Sequence, residues 1–248
     1  MIDPFGLDAK FSLTGAFYTD EKNVVPGRFF GIVVKAELDV SFCCAPGYSF
    51  SQQYSFLNSA INLWNSVGWF VPDALSKYHL PNKTAVRLDV FVNATDRNDH
   101  QLGDKDANNV PWNLVYTDGS ALGQDRNYAW YNYFHDPWVY SALGFAATAD
   151  DLAGIRSDSP KTFMVLFDRR IAGATVPGIK PESLPRAAFA HEFGHLLGAP
   201  DTKDLHNLMN YASPALGVSG GNIISIIENA KLWPGILKAV QRYGWFQN

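Results

Sequence analysis

Between Ser183 and Asp201 the chain commits itself to one local geometry. Ser183 is followed by Pro185 and by helix formers through Leu197, with Gly198 and Pro200 immediately after. Proline suits the first turn of a helix, glycine tolerates the left-handed conformation that ends one, and a second proline prevents resumption. The spacing predicts a helix capped by Ser183 and running to Leu197, then a forced turn. Phe189, Phe193 and Leu196 fall on one side and can pack under a sheet, while His191 and His195 share another. Any fold of this chain must bury one face of this helix and bring the next segment back across its end.

The stretch itself reads His191-Glu-Phe-Gly-His195-Leu-Leu-Gly198-Ala-Pro-Asp201. Residues four apart on a helix lie one turn apart on one face, so both imidazoles reach a single ion. Glu192 is rotated by roughly 100° from His191, beside the ion and free of the need to ligate it. The turn at Gly198 lets Asp201 swing back to the same ion. Two imidazoles and one carboxylate leave a position for water, the arrangement of a catalytic rather than a structural zinc site. His206, five residues after Asp201 on the same connecting loop, is the alternative third ligand.

These residues resemble the metzincin signature H-E-x-x-H-x-x-G-x-x-H, with Asp201 in place of the final histidine. Snapalysin-like metzincins carry the same substitution. Downstream, Asn207-Leu-Met-Asn-Tyr211 is similar to the family's Met-turn, in which Met209 would lie beneath the metal. Met209 stands eight positions after Asp201, a spacing shared with matrixins, and Tyr211 stands where astacins and serralysins have a tyrosine near the metal. The similarity covers about 21 residues; elsewhere only the order of elements matches. It implies one catalytic zinc ion held by His191, His195 and Asp201, with Glu192 as general base and Tyr211 as a ligand or oxyanion partner. It implies hydrolysis of a protein or peptide substrate aligned on an edge strand, for which residues 112–117 or 128–134 are candidates. It also implies a twisted mixed sheet with a long backing helix, an N-terminal subdomain to about 198 and a small C-terminal subdomain over 199–248. An anionic third ligand predicts a less acidic zinc-water than three imidazoles would give. The alternatives within this reading are a cell-wall peptide hydrolase and a zinc-binding interaction module that cuts nothing.

The remaining elements follow from periodicity. Phe29 to Phe42 reads as a strand rich in Val, Ile and Phe. Ser51 to Trp69 carries Tyr54, Leu57, Ile61, Trp64 and Val67 at helical steps, with Ser51 as candidate N-cap. Ala85 to Val92 alternates as a strand with one face buried, and Thr162 to Phe167 is an apolar run suited to burial on both faces. Trp112 to Tyr116 and Tyr128 to Phe134 are short aromatic strands or loop edges. A last helix begins near Asn222, and Pro234 should kink or break it. Met1 to Arg28 shows no clear period. Strands and helices interleave, which predicts one α/β (α+β) domain.

Other features weigh less. Asn93 to Asn109 is a long polar stretch; its Asp96, Asp99, Asp104 and Asp106 fit a solvated loop better than a calcium site. Cys43 and Cys44 are adjacent, so two small core residues fit better than a disulfide framework or redox pair. His135-Asp136 and Ser141 lack the strained elbow of a serine hydrolase, and His79 and His100 read as surface residues. The aromatic share of 14% fits large core side chains, with an aromatic-lined cleft as the alternative. A net charge of −4 with no basic run argues against nucleic acid or an anionic membrane as partner, and no apolar stretch is long enough to span a bilayer.

The N-terminus adds a second resemblance. Asp3-Pro-Phe-Gly-Leu7 is similar to the D-P-x-G-L motif that closes the core of RHS-repeat proteins, the bacterial polymorphic toxins. That resemblance implies that residues 1–7 are a remnant of the motif and 8–248 a metallopeptidase toxin domain. It implies a parent RHS shell, a cognate immunity protein, and delivery into a target cell by a specialised system. No signal-peptide pattern is expected at such an N-terminus, and none is read there.

Overall fold

The longest strand, β2 (Arg28–Phe42), organises the molecule. Its alternate residues Phe30, Ile32, Val34, Ala36, Leu38, Val40 and Phe42 are all buried on one face, as the period of two requires. In the computed structural model the residues described are 9–19, 27–42, 48–71, 84–96, 113–116, 143–147, 163–204, 206–210 and 217–244. Residues 1–7 and 128–134, Cys43, Cys44, His79, Asp99, His100, Asp104, Asp106, His135, Asp136, Ser141 and Tyr211 lie outside them, as does the side chain of Asp96.

Around β2 a six-stranded mixed sheet assembles from β1 (Lys10–Thr19), β3 (Thr84–Asp96), β4 (Asn113–Tyr116), β5 (Gly144–Ala147) and β6 (Phe163–Leu166). β3 pairs parallel along one edge of β2. The other edge is shared: β1 runs antiparallel against the first part, and β4 runs parallel to Val40–Phe42 at the end. β6 is parallel to β4, and β5 closes the series antiparallel to β6. The expectation that 112–117 forms an edge strand is therefore wrong. β4 is paired on both sides; among the described residues the antiparallel strands with a single strand partner are β1 and β5.

The two ends of the sheet differ in how their edges are covered. On β3, Val86 exchanges both backbone hydrogen bonds with Phe70, and Asn65 bonds both the N–H and the C=O of Val90 through its side-chain amide. These contacts cover an edge that would otherwise template another strand. β5, by contrast, pairs only with β6 among the described residues.

Helices cover the inner face. α1 (Phe50–Asn65) starts one residue before the expected Ser51: Ser49 is the N-cap and forms a capping box with Gln52. α2 (Asp168–Gly173) is short; α3 (Leu184–Leu196) follows a 3-10 turn at Pro181–Ser183. Ser183 stands at the N-cap but makes no side-chain capping bond, so that part of the expectation fails. The C-terminal helix divides into α4 (Gly220–Asn229) and α5 (Trp233–Gly244), with Lys231 in the left-handed region between them and Pro234 in the first turn of α5. One buried cluster takes in residues of β2, α1, β3, β6, α3, α4 and α5. The outer face instead carries ion pairs, Lys35–Glu37 and Arg87–Asp89. The fold is a mixed α/β sheet layered with helices. Among the described residues no helix is long and apolar enough to cross a membrane.

Candidate metal centre

α3 is buried on nearly every side, from Ala187 through Gly194. A helix without an exposed face must be covered on every side, here by α1, by β5 and β6, and by the 207–210 turn. Trp64 of α1 packs behind it and donates its indole N–H to the Ala190 carbonyl at 3.2 Å. The helix ends in a Schellman motif: Ala199 N–H bonds the Gly194 carbonyl at 2.9 Å, and Gly198 N–H bonds the His195 carbonyl at 2.8 Å. Gly198 takes φ +88°, the left-handed value that its position demands.

The turn delivers Asp201 to the two histidines. Its Oδ1 lies 3.3 Å from His191 Nε2 and 3.5 Å from His195 Nε2, so the three residues can share one ion. Four-coordinate ligands with arms of about 2.0–2.1 Å stand about 3.3 Å from one another, which both separations match. The imidazoles face the ion correctly as well. His191 Nδ1 donates to the Leu208 carbonyl at 2.8 Å, and His195 Nδ1 donates to the Ala199 carbonyl at 2.9 Å. A carbonyl only accepts, so Nδ1 carries the proton and each Nε2 keeps its lone pair for a metal. The donor set thus fits a metal ion, with the side exposed to solvent at Asp201, whose side chain is 52% exposed. His206 is exposed and is not part of the group.

Charge is concentrated here. Burial works against a proton on His191. The hydrogen bond to Asp201, the charge of Glu192, the Leu208 carbonyl and the charge of Asp201 together outweigh it and raise its pKa. Hydrogen bonds from His191 and His195 hold the Asp201 carboxyl far below the usual range. Asp201 thus favours a proton on His191, and that proton competes with a metal for Nε2. Glu192 is buried and its pKa is raised, chiefly by that burial; the two histidines oppose the shift and Asp201 adds to it.

Met209 is fully buried in a tight turn closed by Asn210 N–H to the Asn207 carbonyl at 3.1 Å. It lies against α3 at Gly194, where a Cβ would stand 2.5 Å from its sulfur and 2.5 Å from Trp64 Cζ2. Thr202 N–H bonds the Met209 carbonyl at 2.7 Å, joining this turn to the residue after Asp201.

Sequence reasoning missed three contributors. Gly194 drew no expectation from the sequence, yet it is where α3, Met209 and Trp64 meet. Gly144, at the start of the edge strand β5, lies so close to Glu192 that a Cβ would be 2.6 Å from its Cγ and 2.8 Å from its Oε1. Asn207 is buried and accepts the Met209 N–H at 2.9 Å, a role that only its place in the turn reveals. A scan against protein-family models matches none of them for this chain, and a search among curated proteins returns no match.

Proposed function

We propose that this chain is a zinc-dependent endopeptidase of the metzincin type, with His191, His195 and Asp201 as ligands and Glu192 as general base. The observation that carries the reading is the convergence of Asp201 on two Nε2 atoms whose Nδ1 partners are already fixed. Two imidazoles and a carboxylate favour zinc over calcium or magnesium, which take oxygen ligands. When bound, such an ion supplies Lewis acidity toward water and toward a scissile carbonyl.

The protein's own residues supply the rest. Glu192, buried and raised in pKa, takes a proton from water and returns it to the leaving amine. β5 has no second strand partner among the described residues and begins against Glu192, so an extended substrate can add to it by backbone hydrogen bonds. Gly144 keeps that edge within reach of the carboxylate. In this reading Met209 packs beneath the ligands, and Tyr211 steadies the oxyanion or ligates the ion.

The Asp3–Leu7 resemblance extends the proposal to an effector: a toxin domain released from an RHS shell, delivered into a target cell and silenced by an immunity protein. The test compares zinc-loaded wild type with Glu192→Ala in a cell lysate and maps new peptide termini. New termini should appear with wild type alone, while the variant keeps its zinc and its fold. Termini produced equally by both proteins, or by neither, would refute the peptidase. Relief of expression toxicity by Glu192→Ala is the result expected of a toxin.

A further inference from the structure

The metal centre draws on three segments: α3 carries His191 and His195, the turn at Gly198 leads to Asp201, and the 207–210 turn supplies the Leu208 carbonyl that orients His191; α4 bonds the last two. At one end of α4, Asn222 is buried and its Oδ1 accepts from the Asn207 amide at 2.9 Å and from Ser219 N–H at 2.9 Å. Asn207 in turn accepts the Met209 N–H, next to the Leu208 carbonyl that orients His191. At the other end, Asn229 Nδ2 donates to the Gly198 carbonyl at 2.7 Å, in the turn that returns the chain to Asp201. Residues seven apart share one face of a helix. Side-chain amides can be assigned either way round, but here each is fixed by a backbone group of known polarity. Ser219 N–H can only donate, and the Gly198 carbonyl can only accept.

We propose that Asn222 and Asn229 are positioning residues of the metal centre, with α4 acting as a staple between the turn at Gly198, which leads to Asp201, and the 207–210 turn, which orients His191. The proposal rests on the reading of His191, His195 and Asp201 as a metal site. Its chemistry is asymmetric: Asn222 acts only through an acceptor, Asn229 only through a donor. Aspartate keeps the acceptor and loses the donor, so the same substitution should have opposite consequences at the two positions. An acidic side chain at Asn222 also stands in the first turn of α4, where the helix dipole favours it.

The experiment measures zinc affinity of the full chain by competition with a chromophoric chelator, for wild type, Asn222→Ala, Asn222→Asp, Asn229→Ala and Asn229→Asp. Partners that orient metal ligands typically contribute 10–100-fold in affinity. Asn222→Ala and both Asn229 variants should lose about that factor, while Asn222→Asp stays within about threefold of wild type. A role in stability alone would lower Tm in chelator and leave the zinc affinity of the folded protein unchanged. Hydrogen exchange at the Met209 amide of the metal-free protein is measured alongside. It should be faster in Asn222→Ala and unchanged in Asn222→Asp. If wild type takes up no zinc, the metal reading fails, and the exchange rates still decide whether the staple exists. Wild-type affinity in Asn222→Ala, equal loss in both Asn222 variants, or equal exchange throughout would overturn it.

Discussion

Gly194→Ala isolates the packing on which the metal centre rests. In an ordinary helix interior this change is stabilising by about 1 kcal/mol, because alanine loses less conformational freedom. At position 194 the new methyl would stand 2.5 Å from Met209 Sδ and from Trp64 Cζ2, and 3.1 Å from Met209 Cε. Carbon contacts relax at about 3.5–4.0 Å, so each neighbour must retreat by about 1 Å. Methionine can repack, but Trp64 is fully buried and tied to the Ala190 carbonyl. Overpacking of this kind costs typically about 1–3 kcal/mol, and weakening the indole bond adds about 1 kcal/mol. After the helix gain, a net loss of about 1–3 kcal/mol remains. For a chain of this size that lowers Tm by roughly 3–10 °C. Thermal unfolding in chelator measures the fold alone, and zinc competition on the same samples should show weaker binding. A Tm equal to or above wild type would show that α3 and the 207–210 turn do not pack as described.

Further predictions address the chemistry. Gly144→Ala should crowd Glu192 without touching the ligands, lowering peptide hydrolysis by about 10–100-fold while zinc content stays unchanged, as expected for displacement of a general base. Asp201→Ala should lose zinc affinity by at least about tenfold, whereas His206→Ala should bind as wild type; the reverse would make His206 the ligand. In the ion-free protein the depressed Asp201 carboxyl contributes stability above its ordinary value of 3.8 and loses it on acidification. The raised His191 contributes below its ordinary 6.5 and loses that as pH climbs through its folded value, and raised Glu192 loses stability in the same direction from 4.5 upward. Tm of the chelated protein should therefore peak near about pH 4–4.5 and decline toward pH 8, more steeply above about 6.5. Zinc needs neutral imidazoles, so the gap in Tm between loaded and chelated protein should widen over that decline. A constant gap would contradict the proton–metal competition.

What could be read from sequence is what local chemistry decides. α3 was legible because its limits are marked locally, by Pro185 in its first turn and by Gly198 and Pro200 just past its end. The inward face of β2 was legible because its alternation is unbroken over its whole length. α1 was placed in its middle but not at its ends: Gln52 selects Ser49 over Ser51 by closing a capping box, and the helix stops at Asn65 rather than Trp69. β1 escaped notice because Gly15 and Thr14 interrupt its apolar residues, and its strand character comes from ten pairs with β2. β5 carries no β-branched residue; pairing with β6 makes it a strand. Its four residues gave no reason to look for the sheet edge there. Asn207, Asn222 and Asn229 are turn and cap formers on any local scale. Their bonds span 12 to 31 residues, a separation only the folded chain resolves.

The X-ray absorption spectrum at the zinc edge of the loaded protein tests the central claim most directly. The account predicts one zinc per chain with two imidazole nitrogens and oxygen ligands at about 2.0–2.2 Å, and no sulfur in the shell. A spectrum with sulfur scatterers, or one lacking imidazole, would place the ion elsewhere and leave His191, His195 and Asp201 without the role assigned to them.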